Sequence, residues 1–171
     1  MASAKPTAWV VAAMLASNAC AAEHRPPTGK LTEAACRPAV SVETRDLPPA
    51  WARVLPYTNA CEVKDDKGAT VLVVLAVSAA RYYEKLPSGT ETVAMPKPLL
   101  RTPGGETVGA LPLNFPDDPP FALQLTFGNW VEGWPRRIDM FVKDPTVTGD
   151  HAIEPLLWDA ASRHFVQKAK E

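Results

Sequence analysis

From position 121 to 127, apolar Phe121, Leu123, Leu125 and Phe127 alternate with Ala122, Gln124 and Thr126. Successive side chains on a strand point to opposite faces, so this period of two predicts a half-buried β-strand. Ile138, Met140 and Val142 repeat the period, with Asp139 between the first two and Lys143 after them. Phe141 breaks the alternation and predicts partial cover on the second face. Between the two runs lies GNWVEGWP, in which Gly128, Asn129 and Gly133 permit positive φ and Pro135 removes a backbone donor. The pattern predicts a hairpin with a wide, aromatic connection.

Residues 71–77, VLVVLAV, are apolar at both parities. This predicts a central strand covered on both sides; the competing reading is a helix running on through residues 79–86, and that second half has a helical pattern of its own. Asp65-Asp66-Lys67-Gly68 is a hairpin turn signal that would pair this strand with residues 61–63. Short strands are expected at 92–95, 99–102 and 106–111, the last two joined by Thr102-Pro103-Gly104-Gly105. Residues 153–158 and 164–167 predict a final hairpin around 159–162. Residues 50–55 predict one or two helical turns or an irregular cover, with Trp51 packed on the core. Eighteen prolines disfavour long helices. The expected fold class is mainly β: a single sandwich-like or small barrel domain of about eight to ten short antiparallel strands, with one short helix.

The N-terminus changes the picture of where the chain works. Lys5, the apolar run 8–15 and small residues around 17–21 predict a secretory signal peptide over residues 1–22. The apolar run is shorter than the roughly 20 residues a bilayer span needs. Ala19-Cys20 also fits the end of a lipoprotein box, which makes Cys20 the alternative lipidation site, although Ser17 stands where such a box wants Leu. The expected location is therefore periplasmic or secreted, with an outer-membrane lipoprotein as the variant. Residues 23–35 predict a polar linker and 36–171 the β-rich domain. In an exported chain, Cys36 and Cys61 most simply pair as a disulfide.

The formal net charge of −1, with no basic stripe, argues against nucleic acid as a partner. No metal-ligand spacing and no cofactor motif are present. His24, His151 and His164 stand singly, and there is no GxSxG elbow. His151 beside Asp150 or Glu154 is the nearest approach to a catalytic cluster; a loop histidine is the simpler reading. Arg136 and Arg137 are adjacent strand residues, so they should face opposite ways and not form one clamp. Trp130 and Trp134 are expected either to plug the end of the core or to form a binding platform. Asp117 and Asp118, in the rigid proline loop 114–120, would extend such a surface or form a solvated corner.

These observations favour a non-enzymatic cell-envelope protein that binds another envelope or secreted protein, with an inhibitor or immunity-type protein as a specific form. A small periplasmic hydrolase with a spatially assembled site is the runner-up, and a structural accessory subunit of an envelope assembly the third reading.

Overall fold

Both alternating runs are strands in the computed structural model, which describes residues 30–31, 36–84, 95–115, 117–118, 121–143 and 150–167. In chain order the strands are β1 (Lys30–Leu31), β2 (Cys36–Pro38), β3 (Thr58–Lys64), β4 (Thr70–Val77), β5 (Leu99–Arg101) and β6 (Thr107–Ala110). They continue with β7 (Asp117–Asp118), β8 (Phe121–Gly128), β9 (Arg137–Lys143), β10 (Asp150–Asp159) and β11 (His164–Gln167). One short helix, α1 (Ala79–Glu84), follows β4. The predicted signal peptide with Cys20, His24, residues 92–94 of the strand expected at 92–95, the turns at 144–149 and residues 168–171 lie outside the described residues; Met95 is not in a strand.

The strands form two antiparallel sheets. The first runs β1-β8-β9-β10-β11, with β7 also on β8; the second runs β2-β3-β4-β5-β6. The sheets do not close into a barrel, so of the two expected architectures the sandwich is the one observed. Lys30–Leu31 was expected in the linker; it pairs with β8 instead, and Leu31 is buried in the core. An apolar residue beside an open strand edge gains both ladder hydrogen bonds and burial, and this outweighs the polar composition around it.

The period-two pattern places the core. Leu123, Leu125 and Phe127 of β8 and Ile138 and Met140 of β9 pack against Leu72, Val74 and Ala76 of β4. The other parity of β4 is equally buried. Val73, Leu75 and Val77 form a second cluster with Trp51, Val54, Tyr82 and Leu99. Burying each such side chain contributes about 1.5–3 kcal/mol, which explains why β4 is apolar at both parities. The cover is the irregular segment predicted around residue 50. It contains two 3-10 turns, Pro49–Trp51 and Leu55–Tyr57. Trp51 in the first is only 1 % exposed.

Polar groups bind this cover to the second sheet. The Arg37 guanidinium donates to both Glu43 carboxylate oxygens, at 2.6 and 2.9 Å, and to Glu62 Oε1 at 2.9 Å. Arg101, only 2 % exposed, donates to the carbonyls of Glu43 (2.6 Å), Arg45 (2.8 Å) and Gly105. Gly105 has φ +89°, and a Cβ there would lie 2.6 Å from the Val42 carbonyl oxygen. Glycine is what lets the cover approach the β5–β6 turn. Cys36 and Cys61 are register partners on β2 and β3, and they form the predicted disulfide. A closed loop of this length, 25 residues in sequence separation, is worth about 3–4 kcal/mol in the chain-entropy model.

Candidate functional site

Four hairpin connections gather at one end of the sandwich. Their closing pairs are Lys64–Thr70, Arg101–Thr107, Gly128–Arg137 and Asp159–His164. The β8–β9 connection is the wide aromatic one predicted, and it contains a smaller hairpin of its own. Val131 N–H donates to the Trp134 carbonyl at 2.9 Å, and Trp134 N–H donates to the Val131 carbonyl at 3.0 Å. Glu132 and Gly133 at its tip have φ +52° and +75°, the signs a type I′ turn requires. The β10–β11 turn is held by Asp159, whose carboxylate accepts from the Ala161 and Ser162 N–H groups and from the Ser162 hydroxyl. The Ser162 hydroxyl bond, with the two N–H bonds, lowers the Asp159 pKa.

Between these loops lies a cleft of about 200 Å³, lined by Thr102, Val108, Trp134, Arg136, Trp158 and Arg163. Its aromatic wall is a cluster. The Trp134 and Trp158 ring centroids are 5.2 Å apart, edge to face, and both rings contact Phe165. The Arg136 guanidinium lies 5.8 Å from the Trp158 ring centroid, within cation–π range. Among the described residues it makes no side-chain hydrogen bond. Arg163 reaches Glu106 only at 4.0 Å, and both side chains are mostly exposed, a geometry worth little in water. Trp134 Nε1 is buried with no acceptor.

Backbone strain collects here as well. Of the four non-glycine residues with positive φ among the described residues, Asn129, Glu132 and Arg163 are at this end; the fourth, Asp46, is in the cover. Asn accepts this conformation readily, whereas for most other residues it costs about 1–2 kcal/mol. Glu132 and Arg163 are therefore the two that the local backbone would not choose.

Of the residues singled out from the sequence, Trp134 lines the cleft. Trp130 packs on the edge of the core and satisfies its Nε1 on the Phe127 carbonyl at 3.1 Å. Both tryptophans therefore help close the core, and one also faces a cavity. Asp117 and Asp118 are not brought to them. They form β7, a two-residue strand rather than a free loop corner, opposite Ala122 and Phe121 at the start of β8. Trp130 follows the end of that eight-residue strand, more than about 20 Å away at 3.3 Å per residue. Arg136 and Arg137 do part as expected: Arg136 enters the cleft while Arg137 pairs with Asp139 at 2.8 Å.

His151 is on strand β10 opposite Val142, not in a loop, and it is exposed. The His164 ring meets the Ser162 carbonyl, and no described serine hydroxyl or carboxylate bonds either histidine. No group of three potential metal ligands occurs among the described residues, and none of their helices is long and apolar enough to cross a membrane.

Sequence reasoning missed Trp158, Arg136 and Arg163 as one group. They come from β10, the β8–β9 connection and the β10–β11 turn, and no local spacing links them. One signal was present: an arginine closes the turn DAASR, at a position where hairpins prefer Gly or Asn. Compared with known protein families, with characterised proteins and with solved structures, the chain gives no match.

Proposed function

We propose that this is an exported cell-envelope protein of binding type, which holds another protein through the loop end carrying Trp130 and Trp134. An inhibitor or immunity-type protein is its specific form. The observation that carries the reading is the cleft between Trp134, Trp158, Arg136 and Arg163. Hot spots of protein interfaces are enriched in Trp and Arg set in partly enclosed pockets, and rigid sheets presenting mobile-sequence loops are a common platform for recognition. The disulfide is compatible with an oxidising compartment, which supports export.

The test is capture of partners on the tagged protein from the envelope and secreted fractions of its host, with the Trp134→Ala form as the parallel bait. One stoichiometric protein retained by the parent and lost by the variant supports the reading, provided the variant unfolds in the same cooperative transition. A blank from folded, disulfide-bonded protein would overturn it.

A further inference from the structure

The size and chemistry of the cleft restrict what can enter it. At about 200 Å³ it is below the 300–1,000 Å³ typical of small-molecule sites. It is comparable with a 150 Å³ cavity that admits benzene. One side chain fits such a volume; a nucleotide or large cofactor does not.

Both charged residues on its walls are arginines. Arg136 has its fork of N–H groups without an acceptor among the described residues, and Arg163 has only the long approach to Glu106. Trp134 Nε1 is buried and unpaired. A guanidinium can only donate, so both cations call for an acceptor. Thr102 adds a hydroxyl, which already accepts from the Glu106 N–H at 3.1 Å. The remaining walls, Val108 and the faces of Trp134 and Trp158, are apolar.

We infer that the cleft receives an acidic side chain of the partner protein, its carboxylate between Arg136 and Arg163 and its methylene stem against Trp134 and Trp158. The inference rests on the binding function proposed above and gives its chemistry. A carboxylate offers two oxygens and no donor, so it matches two guanidinium groups, which only donate. A glutamine side chain of the same shape would bring no charge to match the two cations and only one acceptor oxygen. A lysine would bring a third cation. Inorganic phosphate would satisfy the arginines but leave the apolar wall empty. The positive φ of Arg163 fits this role, because the turn keeps an arginine where Asn or Gly would be easier for the backbone.

The experiment follows the indole N–H resonances of the purified, disulfide-bonded protein, with Trp134 assigned through Trp134→Phe. The probes are N-acetylglutamate α-amide, the matching glutamine and lysine compounds, and inorganic phosphate. The glutamate compound should move the Trp134 resonance saturably in the millimolar range, while the other three should not. Arg163→Asn, which the turn accommodates, and Arg136→Gln should each weaken the response by about five-fold or more. No saturable shift, an equal response to glutamine or phosphate, or titrations unchanged in both arginine variants would overturn the inference. The two proposals separate cleanly. A captured partner whose retention ignores both arginine variants removes the acidic-side-chain reading and leaves the binding function. A saturable glutamate response in a protein that captures nothing removes the protein-binding reading and leaves only the recognition of a carboxylate side chain by the cleft.

Discussion

Two pairs of arginines behave in opposite ways. Arg37 and Arg101 lie under the irregular cover of the second sheet, and their guanidinium groups are occupied: one by Glu43 and Glu62, the other by the carbonyls of Glu43, Arg45 and Gly105. Arg136 and Arg163 lie at the loop end over a tryptophan and a distant carboxylate. A cation whose terminal N–H groups are spent inside the fold is a fastener, even though Arg101 Nε is left buried without a partner. One held in place by an aromatic face, with its donors unspent, remains available to a ligand. Residue type does not separate the two roles; partner saturation does.

The largest effect should fall on the cover itself. Trp51 is almost wholly buried, so Trp51→Ala should lose about 3–5 kcal/mol of unfolding free energy in urea denaturation. Trp130→Ala, at the half-buried loop end, should lose clearly less. Equal losses would mean the loop end is as structural as the cover, and the contrast would fail.

The arginines test it directly. Arg101→Met keeps the stem but leaves three carbonyls without their donor, so it should cost about 2–3 kcal/mol. Arg136→Met has no such partners to abandon and should stay within about 0.5 kcal/mol of the parent in the same denaturation series. Burial lowers the Arg101 pKa, with the Asp46 charge opposing; the side chain is therefore held against a desolvation cost that its carbonyl partners must offset.

Acid should also distinguish the two regions. The Arg37 hydrogen bond lowers the Glu62 pKa in the fold. A depressed folded pKa gives stability that is complete above the unfolded value of about 4.3 and is lost as pH falls through the folded one. Thermal midpoints measured downward from pH 5 should therefore fall less steeply in Glu62→Gln than in the parent. An unchanged acid limb would show that the Arg37–Glu62 pair is neutral to stability.

The smallest effect on stability is expected at Arg163. Arg163→Asn relieves a positive φ and should be neutral or stabilising by up to about 1 kcal/mol, while partner retention falls. A variant that loses stability in parallel with binding would place Arg163 among the fasteners.

Legibility followed locality. The alternations at 121–127 and 138–142 and the doubly apolar run 71–77 were readable because strand period and burial act residue by residue. So were the turn at residues 65–68, the final hairpin and the Cys36–Cys61 pair. Less local features were not readable. Lys30–Leu31 reads as linker because nothing nearby shows the open edge of β8 that it fills. Asp117 and Asp118 are close to Trp130 in sequence, yet an eight-residue strand carries them to the other end. Glu43 and Glu62 are ordinary acids until β2 and the cover bring Arg37 between them.

The sequence by itself determined a mainly β domain, sandwich-like or a small barrel, with its core faces and the disulfide, since alternation, turn chemistry and cysteine count are properties of short stretches. Only the tertiary structure decided which arginines are consumed and which are free. It also assembled Thr102, Val108, Trp134, Arg136, Trp158 and Arg163 around one cleft. The physical reason is that a cavity and the saturation of its donors depend on pairs of residues far apart in the chain, and their distances are fixed only when two sheets and four turns pack together.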